Sequence, residues 1–207
     1  MAGTVRELVV KVSEFCGCPA SSRIPRMSQA QIAVLVAAAL VVFWMVGAYN
    51  RLVALRNAIG DAWKMVDDVL KKRGAAIEPM VAALREPLAA EQGALDALLA
   101  AARQVRTAAD ALGANPVKAD CAADVLAAEA QMSSAASRVL ALLEQQPALK
   151  ASEGVAEHVA VLTESPQRLA FARQLFNDAA QLYNAAARQF PTRLLTRLYG
   201  FGTAGRL

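Results

Sequence analysis

The side chains that could support acid–base or metal chemistry are few and lie far apart along the chain. Paired carboxylates occur at Asp67 and Asp68, and a second pair with helical spacing occurs at Glu153 and Glu157. A carboxylate-bridged di-metal site in a helical bundle draws on two Glu-x-x-His motifs, and this chain has a single histidine, His158. The carboxylates are therefore interpreted as solvated helix faces, and no metal ligand, cofactor or catalytic residue is predicted.

The three cysteines do not predict a metal or redox site either. Cys16 and Cys18 form a Cys-x-Cys pair, but zinc normally takes four ligands and no third cysteine or histidine lies near them. Cys121 is expected to be a small buried residue, and His158, with apolar neighbours at helical spacing, is expected at the edge of a core. The sequence has no Walker loop and no Gly-x-Ser-x-Gly motif, so no enzyme is predicted.

Six polar or aromatic residues are the candidates for a packing or binding role. They are Asn57, Trp63, Asn177, Tyr183, Asn184 and Phe190. A buried asparagine can fix the register of packed helices, and a buried tryptophan or tyrosine needs a partner for its polar tip. Two interpretations stay open: these residues set helix pairing inside a bundle, or they form a surface for a partner protein.

The first element that would position these residues begins with an uncharged apolar run over 32–49. At about 1.5 Å per residue the run reaches roughly 27 Å, close to the hydrocarbon thickness of a bilayer. Bulky residues follow it instead of the small residues of a signal-peptide cleavage site. A transmembrane helix over 31–49 is therefore predicted, with membrane lipids as its partner. Its anchor residues are Ile32, Leu35, Leu40, Phe43, Trp44 and Tyr49, of which the last two suit the membrane interface.

An apolar stripe continues beyond the anchor without a break. Its members, at three- and four-residue steps, are Leu52, Leu55, Ile59, Ala62, Val66 and Val69. The transmembrane helix is thus predicted to continue into the first helix of a helical domain. Pro79 is expected to interrupt or kink this helix, because proline lacks a backbone donor and its ring clashes with the preceding turn.

Three more helices are predicted, over 88–112, over 117–146, and in a last segment that carries the strongest period. This segment has large residues every seven positions and small residues three positions after them: Leu162, Leu169, Phe176, Tyr183 and Phe190, with Ser165, Ala172, Ala179 and Ala186. Pro166 is expected to start or kink it. Short connections favour antiparallel neighbours, so the predicted fold is all-α, with an up-down four-helix bundle over 50–191.

Both ends of the chain carry amphipathic sequence. Residues 1–30 are predicted to be a tail, either disordered or containing a short amphipathic helix over 5–15. Residues 192–207 mix leucines, aromatic residues and arginines, which suits a membrane interface or a frayed end. The net charge of +4 is too small and too scattered to indicate nucleic acid.

Two blocks of sequence resemble the LemA family of bacterial membrane-anchored proteins. The first follows the apolar run and contains YNRLVALRN at 49–57, AWKMVD at 62–67 and LKKR at 70–73. The second contains PALKA at 147–151, ARQLFNDA at 172–179 and LYGF at 198–201. The resemblance implies an antiparallel helical bundle on a single N-terminal anchor, a short N-terminus outside the cytoplasm, and no enzyme activity.

The charge balance around the anchor agrees weakly with that orientation. Arg23 and Arg26 precede the apolar run, whereas Arg51, Arg56 and Lys64 follow it, which favours a cytoplasmic bundle. The predicted function is a non-catalytic scaffold or adaptor at the bacterial inner membrane, with unknown protein partners or other copies in a homo-oligomer. The alternative is a lipid-binding, membrane-remodelling assembly.

Overall fold

The computed structural model describes residues 28–189, 193 and 202–207. The predicted amphipathic segment over 5–15, Cys16, Cys18 and Phe190 lie outside these residues. The described part of the chain is all-α and contains no strand. It divides into two units, Met1–Phe43 and Trp44–Leu207.

The helices follow one another along the chain with short connections. They are α1 (Gln29–Leu84), a 3₁₀ turn (Ala89–Glu91), α2 (Gln92–Ala114), α3 (Ala119–Glu144), α4 (Pro147–Lys150) and α5 (Glu153–Arg188). The predicted second helix starts later than expected because the 3₁₀ turn precedes it, and a short separate helix begins at Pro147, where the proline occupies the first turn.

The part of α1 in the first unit is apolar and exposed. Phe43 is 77% exposed and Leu40 is 65% exposed, and the apolar window of the helix has a mean hydropathy of 2.5 with none of its residues buried. By length and composition this is the one candidate membrane-spanning helix in the described part of the chain. Ile32 and Leu35 lie in the same exposed stretch, and Trp44 and Tyr49, at the start of the second unit, are also exposed.

The second unit contains one hydrophobic core, to which α1 contributes the predicted stripe. Leu52, Ile59 and Val66 are fully buried, and Leu55, Ala62 and Val69 pack partly buried against them. The seven-residue period in α5 is confirmed as well, since its large residues Leu162, Leu169, Phe176 and Tyr183 are all 2% exposed or less. Of its small residues, Ser165, Ala172 and Ala186 are buried and Ala179 is partly buried.

Aromatic and small residues mark where the helices of the second unit approach one another. The ring of Trp63 on α1 meets that of Phe176 on α5 edge to face, with centroids 6.2 Å apart and planes at 73°. A Cβ added to Gly113, near the end of α2, would lie 3.2 Å from Nε1 of Trp63. A Cβ added to Gly154 would lie 3.8 Å from that of Ala83. Trp63 therefore packs between residues of α2 and α5.

Neither internal proline ends its helix. α1 continues through Pro79 to Leu84, because the proline is exposed while Ile77 and Met80 beside it are buried in the core. Pro166 is expected from the sequence to start or kink the last helix, and the first of these alternatives is wrong, since α5 begins at Glu153. The carbonyl of Leu162, which a proline four residues later leaves without an amide donor, accepts a hydrogen bond from the Ser165 hydroxyl at 3.2 Å.

Candidate functional site: the tail groove and the ion triad

Residues 202–207, the tail segment, lie against α5 and the first turn of α3. The surface that receives them is called the tail groove, and it consists of Asn177, Tyr183, Asn184, Ala119 and Ala122. Ala204 of the tail segment is 7% exposed and belongs to the core, and Leu207 packs partly buried against the core. The segment is therefore a packed part of the second unit.

Two asparagines of α5 hold the tail segment through its backbone. Nδ2 of Asn184 donates to the carbonyl of Ala204 at 2.9 Å, and Oδ1 of Asn184 accepts from the amide of Ala204 at 2.8 Å. Asn177 makes the same pair of bonds with Leu207, at 2.7 and 2.8 Å. Each asparagine thus satisfies both backbone groups of one tail residue, which is what a neighbouring peptide would do in a sheet.

The spacing of the asparagines on α5 matches the spacing of the residues they hold. Asn177 and Asn184 are seven residues apart, which is two helical turns and a rise of about 10.5 Å. Ala204 and Leu207 are three residues apart, a separation that an extended chain covers in about 10 Å. An extended chain can therefore present the backbone groups of two residues three positions apart to two asparagines that lie two turns apart on α5.

A glycine sits where the tail segment touches α3. A Cβ added to Gly205 would lie 2.7 Å from Cα of Ala119 and 2.8 Å from Cβ of Ala122. Because the nearest of these atoms is backbone, a side chain at this position must displace either the tail segment or α3. Gly202, at the other end of the segment, has nothing within 4 Å of an added Cβ.

Tyr183 supplies the last polar contact of the tail groove. It is fully buried, and its hydroxyl donates to the carbonyl of Gly202 at 3.3 Å. Burial raises the pKa of the Tyr183 phenol, because an apolar environment disfavours phenolate, and the nearby charge of Arg56 opposes this only in part. The phenol is therefore held in its neutral, donating form.

A second cluster, the ion triad, joins three helices through buried charges. Glu129 of α3 accepts hydrogen bonds from NH1 of Arg73 on α1 at 2.8 Å and from NH2 of Arg173 on α5 at 2.9 Å. Arg73 is 2% exposed and Glu129 12% exposed. The Nε atoms of both arginines are buried without an acceptor in the described part of the chain. One carboxylate thus balances two guanidinium groups.

Another ionic contact links α1 to α2 nearer the surface. NH1 of Arg106 donates to Asp67 at 2.9 Å, its NH2 contacts Asp110, and Lys71 pairs with the second oxygen of Asp67 at 2.7 Å. These bonds raise the pKa of Arg106, chiefly through Asp110, and the Arg106 guanidinium lowers the pKa of the Asp110 carboxyl. Asp67, predicted to lie on a solvated face, is instead largely buried within this contact.

An open groove runs between α1 and α5 on another face of the second unit. One part has a volume of about 590 Å³ and is lined by residues that include His158, Val161 and Ala76. A neighbouring part of about 470 Å³ shares Asp68, Val69 and Arg168 with the first and adds Met65 and Phe171. Met65 is 46% exposed and Phe171 is 61% exposed, so two large apolar side chains beside this groove are exposed to solvent.

Five of the six residues proposed from the sequence lie in the described part of the chain, and they fall in different places. Asn57 is exposed, Trp63 is buried against Phe176, and Asn177, Tyr183 and Asn184 come together at the tail groove. Their roles in helix pairing or in partner binding stay predictions.

The cysteine and histidine singled out from the sequence lie as expected. Cys121 is buried, and His158 is partly buried beside the α1–α5 groove. The described residues include no group of three or more His, Cys, Asp or Glu placed to hold a metal ion.

The sequence reasoning missed the ion triad and the docking of the tail segment. A signal for the triad was present, because Leu52, Ile59, Val66, Arg73 and Met80 follow one another at intervals of seven. A charge in that series indicates a buried partner. The two asparagines show the same interval, immediately after Phe176 and Tyr183 of the α5 period, but nothing local in the sequence identified the tail as their partner.

Fold and site together define an all-α protein with one candidate membrane helix and a helical domain whose described polar clusters tie its elements together. The LemA family model matches residues 62–206, and the chain belongs to the LemA family. The match includes all of α5 and nearly all of the tail segment. A search of the curated proteins gives no match.

Proposed function

We propose that this protein is a non-catalytic scaffold or adaptor of the bacterial inner membrane. The observation that carries the proposal is the open groove between α1 and α5, beside which Met65 and Phe171 are 46% and 61% exposed. Scattered exposed hydrophobic residues are ordinary on a protein surface, but apolar side chains along a groove with a polar rim are typical of binding surfaces. The protein would act by presenting this surface to a partner protein or to another copy.

The rim of the groove favours a protein as the partner. Lys72 and Arg168 lie along it together with the carboxylates of Asp68, Glu157 and Glu164, so both signs of charge alternate around an apolar floor. Protein interfaces combine an apolar centre with a polar rim in this way. A nucleic-acid surface would instead need an excess of positive charge.

The architecture proposed for the helical domain is an antiparallel, up-down four-helix bundle of α1, α2, α3 and α5. Support comes from the chain order of the contacts. Trp63 meets Phe176 whereas Ala83, further along α1, lies near Gly154, earlier in α5. Likewise Trp63 lies near Gly113, whereas Asp67 bonds Arg106, earlier in α2.

The charged groups support a non-catalytic role. Glu129, Arg73 and Arg173 bond one another, and Asp67 bonds Arg106, so these buried or half-buried charges hold helices together. Catalytic groups in contrast converge on a cavity where a substrate can reach them.

The placement proposed for the helical domain is cytoplasmic. The weak excess of basic residues after the apolar run supports it. Fusion of alkaline phosphatase at Leu207 tests it: the fusion is expected to be inactive, and phosphatase activity would place the domain on the opposite side of the membrane.

Crosslinking in native membranes tests the scaffold proposal. Phe171→Ser is expected to abolish the crosslinked complexes of the wild-type chain, because it removes the most exposed apolar side chain beside the α1–α5 groove. Leu182→Ser is the matched control, since Leu182 is also 61% exposed and also lies on α5, but is not among the residues lining the groove. Identical complexes from both variants would contradict a binding role for this groove.

A further inference from the structure

We propose that the tail groove is a peptide-binding site whose ligand, besides the chain's own tail segment, is the tail segment of a second copy. The proposal deepens the proposed function, since it names one contact through which copies of the scaffold could associate. It depends on geometry that is independent of the α1–α5 groove.

The contacts of the tail groove define the chemistry of its ligand. All four asparagine hydrogen bonds go to backbone amides and carbonyls, at 2.7–2.9 Å, and the Tyr183 hydroxyl also donates to a carbonyl. The groove therefore recognises the main-chain groups of two ligand residues that lie three positions apart. The tail groove also restricts the size of the ligand's side chains. It requires glycine at the position of Gly205 and a small residue at the buried position of Ala204.

The tail segment of another copy meets these requirements because it is chemically identical to the segment bound. A groove that reads the backbone cannot distinguish its own segment from that of a neighbour, so local concentration decides between them. The covalently attached segment competes at an effective concentration on the order of millimolar. Exchange is thus expected where copies are crowded or where the attached segment is impaired.

The contacts of the tail groove are of a kind that can be released. The two bonds between Asn184 and Ala204 join neutral groups. When the segment leaves, the asparagines are free to bond water, and no unpaired charge stays buried.

Complementation between two variants of the full chain tests the exchange. The first, Asn177→Ala with Asn184→Ala, has an intact tail segment and an impaired groove. The second, Gly205→Val, has an intact groove and a tail segment that no longer fits against Ala119. The two carry different affinity tags and are mixed in detergent micelles. We expect co-purification of the two to exceed, by at least tenfold, the self-association of either variant alone.

A matched glycine variant and a competing peptide make the result specific. Gly202→Ala replaces Gly205→Val in the control mixture, and we expect no added association because an added Cβ at Gly202 meets open space. A synthetic peptide of residues 200–207 is expected to compete for the tail groove and dissociate the mixed complex, whereas the same peptide carrying G205V is not. Helical melting by circular dichroism verifies that each variant is folded, and Asn184→Asp replaces the double variant if the latter unfolds.

Two results would overturn the proposal. One is a mixture of folded variants that associates no more than its components, and the other is equal competition by the two peptides. Either result leaves the scaffold proposal standing if complexes still depend on Phe171. The converse result is complementation between the two variants while the crosslinked complexes do not depend on Phe171. That result would contradict the role of the α1–α5 groove and support tail exchange.

Discussion

The ion triad and the tail groove join distant parts of the same chain with opposite chemistry. In the triad, Glu129 bonds two arginines from two other helices, and the most buried of the three residues is 2% exposed. In the tail groove, two neutral amides bond an extended segment at the edge of α5. The two arrangements differ in the charge of the groups that they join and in the free-energy cost of opening them.

Opening the triad has a large electrostatic cost in free energy, whereas opening the tail groove does not. Breaking one bond of a buried charge pair leaves its partner charged and unsolvated, so the three helices have to separate together. A neutral amide that loses a peptide can bond water in its place. The comparison indicates a fixed joint within the core and a releasable joint at its edge.

The largest expected effect is the loss of the carboxylate at the centre of the triad. Glu129→Ala leaves two guanidinium groups without their partner and should lower the free energy of unfolding by about 3–5 kcal/mol. Denaturant unfolding followed by circular dichroism measures this. Glu164→Ala is the control, since Glu164 also pairs with an arginine but is 62% exposed, and it should cost no more than about 1 kcal/mol. Similar losses for both variants would contradict a special role for burial.

A smaller effect is expected when one asparagine of the tail groove loses only its donor. Asn184→Asp keeps the shape and the acceptor for the Ala204 amide but faces the Ala204 carbonyl with an oxygen, so tail docking should weaken by about 1–2 kcal/mol at neutral pH. Hydrogen exchange at the Ala204 amide, detected by mass spectrometry, should accelerate accordingly.

The same variant has a pH dependence of predictable sign. A protonated carboxyl can donate to the Ala204 carbonyl, so folding raises the pKa of the introduced group. Its stabilisation is complete below the unfolded value of about 4 and is lost as the pH rises through the folded value. The deficit relative to wild type should therefore shrink in acid, and a deficit independent of pH would contradict the bond assigned to Nδ2 of Asn184.

The smallest effect belongs to Tyr183. Tyr183→Phe removes the 3.3 Å bond to Gly202 and should cost about 0.5–1 kcal/mol at neutral pH. Because burial raises the pKa of this phenol, its stabilising contribution persists through pH 10 and is lost as the pH rises through the folded value. The wild-type chain should lose more stability than the variant above that pH, as measured by thermal melting. Equal losses would contradict the raised pKa of the Tyr183 phenol.

The helices could be predicted from the sequence because their signals are local. The seven-residue period of α5 and the stripe after the anchor identify the buried faces. The four large residues Leu162, Leu169, Phe176 and Tyr183 are buried as that period requires. The effect of Pro166 was not predictable in the same way. The continuity of α5 depends on packing on both sides of the proline and on the Ser165 hydroxyl that replaces a missing amide donor.

The two polar joints depend on contacts between residues far apart in the chain. Arg73 and Glu129 are separated by 56 positions, and Asn177 and Leu207 by 30, so no window of sequence contains both partners. Periodicity could indicate that Arg73, Asn177 and Asn184 face inward or lie beside a seam. It could not indicate that one would meet a carboxylate and the others a peptide backbone.

Native-state hydrogen exchange tests the contrast between the two joints most directly. The amides of Ala204 and Leu207 donate hydrogen bonds to Asn184 and Asn177. Their exchange rates are compared with those of the amides of Ala128 and Phe176, which are buried residues of α3 and α5. If the tail groove opens locally while the triad holds the core closed, Ala204 and Leu207 should exchange at least roughly a hundredfold faster, by openings that leave the core protected. Equal opening free energies at all four amides would show that the tail segment leaves only when the whole domain unfolds, and would contradict a releasable joint.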